Sequence, residues 1–262
     1  MTVFDGKGVD ELKKAGIFYF SGTGNTELVA EMIKQEFSNL DYAVELTKVE
    51  DVLKGKLTVN PDDYDLMGIG CQVIGYSIPN IMYAFMRKLP EAKGTKVFIF
   101  RTAGGVAPIN YNASNPLIKK LKRKGYEVYH ERIFSIGSNW ITKFEDSIMA
   151  RLYEATRNKV AIMCREAAAG QRRILRTGLR LRIGIGIAAP VFSFLIRFIG
   201  KDLKASKACS HCGQCVQKCP AGNIYEKGGR IKFRSSCNCC LRCVYSCPGE
   251  AIGFKLFSFI PV

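Results

Sequence analysis

One cysteine spacing occurs twice near the C-terminal end of this 262-residue chain, and nothing else in it is as restrictive. Residues 209–220 read CSHCGQCVQKCP, and residues 237–248 read CNCCLRCVYSCP. Both are C-x2-C-x2-C-x3-C-P, and the second begins 28 positions after the first. Three closely spaced thiolates can cap three corners of one iron–sulfur cube. The fourth, set off by the proline turn, points to the other cube. The spacing therefore assigns Cys209, Cys212, Cys215 and Cys247 to one 4Fe–4S cluster. Cys237, Cys240, Cys243 and Cys219 are assigned to the second. Zinc needs four ligands per ion and no proline-closed run of eight cysteines. A disulfide framework does not call for that run either.

In every ligand position this segment resembles the two-cluster bacterial-type ferredoxins. The resemblance implies a small α+β domain, expected over residues 207–262. Asn223–Tyr225 and Arg230–Phe233 flank Gly228-Gly229 and predict a hairpin between the boxes. Cys239 also lies in the second box, but the regular spacing selects Cys240 as the ligand. His211, between two ligands, reads as an exposed side chain rather than one tuning a cluster through a hydrogen bond.

The N-terminal half alternates strand and helix signals. Ala15–Phe20, Ala43–Val49, Asp65–Gly70, Lys96–Phe100 and Glu127–Phe134 read as strands. Residues 25–37, Ile81–Leu89 and Pro116–Lys124 read as helices between them, and a long helix is expected from about Lys143 to Ala169. This is an α/β pattern and predicts a doubly wound, five-stranded parallel sheet. Five strands suit the order 2-1-3-4-5, whose ligand sits at the carboxyl ends of the strands. The expected divisions are 1–168 for this domain and 169–206 for a basic, apolar linker.

Ser21-Gly22-Thr23-Gly24-Asn25-Thr26 follows the first predicted strand and opens a helix. Backbone N–H groups at a helix amino end attract an anion. Gly22 and Gly24 let the backbone turn and approach closely, and the hydroxyls of Ser21, Thr23 and Thr26 can donate to phosphate oxygens. No lysine follows as in a nucleoside-triphosphate loop, so the pattern suits a phosphomonoester held by neutral donors. The loop matches all four specified positions of the flavodoxin pattern [ST]-x-T-G-x-T, and residues 14–165 resemble flavodoxins. The resemblance implies FMN, with its ring over the loops Cys71-Gln72-Val73-Ile74-Gly75-Tyr76 and Thr102-Ala103-Gly104-Gly105. Tyr76 would stack on the ring. Neither loop has a tryptophan; the single one, Trp140, follows the fifth strand. Cys71 reads as a small loop or core filler rather than a redox thiol, and Cys164 as core.

Charge is unevenly placed. Residues 1–150 carry 19 Lys and Arg against 18 Asp and Glu, and residues 151–262 carry 20 against 5. Such asymmetry concerns partners rather than fold. It predicts an acidic redox-partner protein, with peripheral contact to an anionic membrane as the second expectation and no nucleic acid. The opening residues MTVFDGKGVDELKKAG lack the apolar core of a signal peptide. Thiolates and clusters point to a reducing cytoplasm and an anaerobic setting. In residues 171–204, helical spacing would gather Arg172, Arg173, Arg176 and Arg180 within an arc of about 100°. The charge-free run Ile183–Ile196 is short for a membrane span, and Pro190 and nearby glycines weaken a continuous helix there. An apolar linker packed between the domains is the plainer expectation.

The order of the two modules resembles a group of flavodoxin–ferredoxin fusion proteins over nearly the whole chain. It implies electron transfer between FMN and two 4Fe–4S clusters, and on to or from a redox partner. The alternative is a flavin-dependent reductase of a small acceptor such as a quinone or nitro compound. No Ser–His–Asp set or paired carboxylates stand out, so hydrolysis has no support.

Overall fold

The computed structural model describes residues 12–105, 107–137 and 144–256. In chain order the elements are β1 (Lys13–Tyr19), α1 (Asn25–Ser38), β2 (Tyr42–Lys48), α2 (Val49–Leu53), β3 (Leu66–Gln72), α3 (Asn80–Lys88), β4 (Lys96–Ala103), α4 (Asn115–Arg123), β5 (Glu127–Ser135) and α5 (Asp146–Ala168). There follow α6 (Leu179–Asp202), β6 (Leu203–Ala205), α7 (Gln214–Gln217), β7 (Ile224–Glu226), β8 (Ile231–Phe233), α8 (Arg242–Tyr245) and β9 (Ile252–Phe254).

Five strands form one sheet in the order β2-β1-β3-β4-β5, and every neighbouring pair is parallel. The reason is legible in β3 and β4. LMGIGC and VFIFRT are buried without alternation, so both sheet faces need cover. One face packs Phe18, Met67 and Ile69 against Val52, Met82, Phe85 and Leu121 of α2, α3 and α4. The other packs Ile17, Phe98 and Phe100 against Ile33, Phe37, Val160 and Met163 of α1 and α5. This is the flavodoxin-like arrangement of a doubly wound sheet.

The free edge of β5 is partly covered. The N–H of Arg173 donates to the Tyr129 carbonyl at 2.9 Å, and the N–H of Glu131 donates to the Arg173 carbonyl at 2.8 Å. The N–H of Leu175 donates to Glu131 Oε1 at 2.8 Å. These bonds take backbone groups that a helix would have used. Residues 171–178 therefore run outside any helix, and the helical arc expected for Arg172, Arg173, Arg176 and Arg180 is not formed. Beyond them α6 starts at Leu179 and runs unbroken past Pro190 to Asp202, where the sequence suggested an interruption.

The C-terminal module keeps the 28-residue repeat in its backbone. Gly213 and Leu241, equivalent in the repeat, both precede a one-turn helix with φ values of 71° and 57°. β6 pairs with β9, and β7 with β8, both antiparallel. The expected hairpin is β7–β8, with Gly228 and Gly229 at φ 58° and 66°. Leu203, Ile224, Ile231, Val244, Ile252 and Phe254 form the small core.

Candidate functional site

After β1 the chain turns through residues 21–24 into α1. Gly24 caps the helix at φ 102°, a backbone region that glycine enters without steric cost. Ser21 Oγ accepts from the Gly24 N–H at 3.1 Å, which fixes the turn. Thr26 Oγ1 lies 2.8 Å from Thr102 Oγ1 and ties the loop to the end of β4. Asn25 Nδ2 donates to the Gly137 carbonyl at 3.5 Å. The amino end of α1, where backbone N–H groups point out of the helix, opens onto a cleft.

The cleft has a volume of about 280 Å³ and lies at the carboxyl ends of β1, β3 and β4. It brings together Ser21, Gly22, Thr23, Asn25, Thr26, Gln72, Val73, Gly75, Thr102, Ala103 and Gly104. Ile74 lines it as well. Gly24 shapes the loop without lining the wall. Gly105 also stands off the wall, its carbonyl accepting from Asn110 Nδ2 at 3.1 Å. Gln72 Oε1 is buried at the cleft with no protein donor. An acceptor so placed suits a ligand carrying a ring N–H.

Tyr76 stands elsewhere. Ile74 and Ser77 exchange backbone bonds of 2.9 and 3.0 Å around Gly75 and Tyr76, whose φ values are 54° and 62°. The turn sends the Tyr76 ring edge-on to Phe192 of α6, with centroids 5.7 Å apart. Tyr76 lines a second groove, between α3 and α6, rather than the cleft. Trp140 lies outside the described residues.

Two walls escaped sequence reasoning. Phe192, Ile196 and Ile199 of α6 form one, and Cys239, Cys240 and Leu241 of the second cysteine box form the other. The only available signals were the apolar run in 183–196 and the irregular CNCC. Arg242, next along the chain from Leu241, does not line the cleft but anchors this wall. Its Nη2 donates to the Ser21 carbonyl at 2.5 Å and to Glu50 Oε1 at 2.6 Å, and its Nε to the Gly22 carbonyl at 3.4 Å. Its guanidinium also stands 5.5 Å from the centre of the Phe20 ring. Asn238 Oδ1 adds a bond from the Ile81 N–H at 3.1 Å. The second box is thus clasped to the loop that starts α1.

None of the eight box cysteines is in a disulfide. Burial pushes the Cys237 thiol up to about 12 and raises Cys240 and Cys243. The charge of Cys219 raises all three further, so this first-box residue sits within electrostatic reach of the second-box trio. Cys215 is raised by burial, with Cys209 and Cys212 adding their charges. Equivalent N–H groups point at the fourth thiol of each box: Asn223 to Cys219 Sγ at 3.2 Å and Ala251 to Cys247 Sγ at 3.3 Å. Among the described residues no three His, Cys, Asp or Glu side chains gather as ligands for a metal ion.

Cys71 is fully buried beside Arg101, and burial pushes its thiol up to about 12, which suits a core filler. Cys164 is likewise buried and raised. Cys239 is buried, its N–H donating to Cys237 Sγ at 3.2 Å. His211 is half exposed, 3.7 Å from Glu226 Oε1.

No protein-family model matches the chain. It is 29% identical over 119 residues to a flavodoxin of Maridesulfovibrio salexigens, covering 44% of this chain and 80% of that protein. It is 41% identical over 59 residues to a flavodoxin of Nostoc sp., covering 22% of this chain and 31% of that protein. Among solved structures, the oxidised Flavodoxin 2 of Bacillus cereus is 22% identical, with 59% of this chain and 99% of that chain covered and a TM-score of 0.43. With the strand order, the flavodoxin relatives give the chain a flavodoxin-like domain.

Proposed function

We propose that this chain is an electron-transfer protein, holding FMN in the flavodoxin-like cleft and two 4Fe–4S clusters in the C-terminal module. One observation carries the reading: Cys239, Cys240 and Leu241 of the second box line the same cleft as Ser21, Gly22, Thr23, Asn25 and Thr26. The two kinds of site share a wall. Bound there, the groups supply one-electron exchange at the clusters and one- or two-electron exchange at the flavin.

The residues fit the flavin in two respects. The loop Ser21–Thr26 and the amino end of α1 offer neutral donors to a phosphomonoester, and Gln72 Oε1 offers an acceptor to the ring. They fit the clusters through the donor set. The sequence spacing groups Cys237, Cys240 and Cys243 with Cys219, and Cys209, Cys212 and Cys215 with Cys247. Burial raises the thiols of Cys215, Cys237, Cys240 and Cys243, and a cationic core would offset that cost when they ligate. A cube spreads its ligands over four iron atoms, a wider arrangement than one ion demands. Backbone N–H groups of Asn223 and Ala251 on the fourth sulfurs would tune the potential.

The chain's own part is to position and to exclude water. Phe192, Ile196 and Ile199 close the cleft from the side of α6. Its described lining holds no Asp, Glu, His, Lys, Arg or Tyr. A reductase that protonates a small acceptor gains nothing from such a wall, so a carrier meeting an acidic redox partner is the better reading.

Anaerobic reconstitution tests it. About eight iron and eight sulfide per chain are expected, with FMN as the released flavin. Four iron per chain with Cys237→Ala unchanged would remove the second cluster. Full flavin retention in Thr23→Ala/Thr26→Ala would remove the phosphate loop.

A further inference from the structure

Helix α6 is long and apolar enough to cross a bilayer by length and composition, with a mean hydropathy of 1.9 over its best window and only 18% of that window buried. One side faces the protein. Ile185 and Ile196 are buried, and Phe192, Ile196 and Ile199 line the cleft. The other side faces outward. Ile183, Ile187, Val191, Phe194, Leu195 and Phe198 are 44–70% exposed. At roughly 100° per residue these six fall within an arc of about 120°. A continuous stripe of large apolar side chains marks an interaction surface.

The charge around it has one sign. From Ala167 to Lys201 the chain carries seven Arg and Lys and neither Asp nor Glu. Arg172, Arg173, Arg176, Arg180 and Arg182 are all exposed, immediately before the helix or in its first turn.

A spanning orientation fails on topology. The helix is about 36 Å long, enough for a hydrocarbon core of about 30 Å. Spanning would place the segments before Leu179 and after Asp202 on opposite sides. Yet Arg242 donates to the Ser21 carbonyl and Asn238 Oδ1 accepts from the Ile81 N–H. Both ends of α6 therefore belong to one side of any membrane.

We infer that α6 lies flat in the surface of an anionic membrane, its outer stripe among the acyl chains and the preceding arginines on lipid phosphates. An acidic protein would satisfy the arginines equally well. The six-residue apolar stripe favours lipid, because acyl chains need no matching partner surface. Docking of this kind would bring the cleft beside α6 to the membrane surface.

The test is co-sedimentation of the full-length protein with vesicles of phosphatidylcholine, with and without phosphatidylglycerol. Wild type should sediment with the anionic vesicles and much less with the neutral ones. Ile187→Ser/Phe194→Ser/Phe198→Ser, on the outward face alone, should stay in the supernatant while retaining flavin. Arg172→Gln/Arg176→Gln/Arg180→Gln should bind anionic vesicles roughly a hundredfold more weakly, at about fivefold per arginine. The fluorescence of Phe194→Trp, in a Trp140→Phe background, should be quenched by bromines placed shallowly in the acyl chains. Wild type remaining in the supernatant with anionic vesicles would overturn the inference, as would a serine variant that binds like wild type. Quenching only by bromines at the bilayer centre would overturn the flat orientation. Arginine-dependent binding to polyglutamate without vesicle binding would assign the surface to an acidic protein instead.

Discussion

Nη2 of Arg242 lies 2.5 Å from the Ser21 carbonyl oxygen, across 221 positions of sequence. The same nitrogen meets Glu50 Oε1 at 2.6 Å, in a pair that is mostly buried. One guanidinium therefore joins the second cysteine box to the loop before α1 and to the start of α2.

Replacing that side chain should loosen the junction and leave the cofactor sites standing. Hydrogen bonds to charged groups contribute about 1.5–3 kcal/mol each, and Arg242→Met also strands the Glu50 carboxylate. Denaturant unfolding of Arg242→Met should show a loss of about 2–4 kcal/mol. Flavin and iron contents should match wild type, while electron exchange between flavin and clusters slows. Exchange at the wild-type rate would mean the clasp holds the fold and has no part in the junction.

Two glycines in the loop separate contact from conformation. A Cβ on Gly22 would fall 2.3 Å from the Cys240 carbonyl oxygen and 2.9 Å from its Cβ. A Cβ on Gly24 meets nothing within 4 Å, but φ there is 102°. Gly22→Ala should push the second box away, costing about 1–3 kcal/mol as overpacking does, and should speed loss of iron. Gly24→Ala should cost about 1 kcal/mol through its backbone and weaken flavin binding without touching iron release. The reverse pattern would contradict the shared wall.

The five strands, the loop 21–26 and the loops after β3 and β4 were readable because their signals are local. A short run such as VFIFRT, rich in Val, Ile and Phe, suits an inner strand of a covered sheet. What could not be read depends on partners far along the chain. Arg242 is simply a basic letter in CNCCLRC until Ser21 and Glu50 arrive beside it. Arg172–Arg176 satisfy helical spacing, yet Tyr129 and Glu131 capture the backbone of Arg173 and Leu175. Tyr76 follows the strand where a ring-stacking aromatic was expected, but a turn with two positive φ angles gives it to Phe192.

The capture of residues 171–178 by β5 rests on a buried ion pair. Arg101 and Glu131 are both 0% exposed and 3.0 Å apart. Ser114 Oγ donates to Glu131 Oε2 at 2.5 Å, and Arg101 Nη1 donates to the Asn110 carbonyl at 2.6 Å. Glu131→Gln leaves Arg101 buried without its counter-charge and should cost about 3–5 kcal/mol. Arg101→Met/Glu131→Leu removes both charges and should cost less than that single change, because no buried charge remains. Urea midpoints of the three proteins decide it: a double variant weaker than Glu131→Gln would mean the pair itself supplies the stability.

Acid should weaken the fold in two stages through His130 and Glu166. His130 Nε2 lies 2.8 Å from Glu166 Oε2, and Arg132 Nη2 lies 2.6 Å from the same oxygen. Burial depresses the His130 imidazole below its ordinary value, against the pull of Glu166, and Arg132 and Arg173 depress it further. The unfolded chain therefore binds the proton more readily below about pH 6.5, and stability falls as pH drops through that window. Burial alone would raise Glu166, but its bonds to Arg132 and His130 outweigh it and hold the carboxyl low. That contribution is present above about pH 4.3 and is lost as pH falls through the lower folded value. Urea midpoints measured from about pH 7 to about pH 5 should decline in wild type. The decline should flatten in His130→Gln, whatever its absolute stability. In Glu166→Gln it should steepen, because the imidazole loses the one neighbour favouring its proton. Equal slopes in all three proteins would assign the acid sensitivity to other groups.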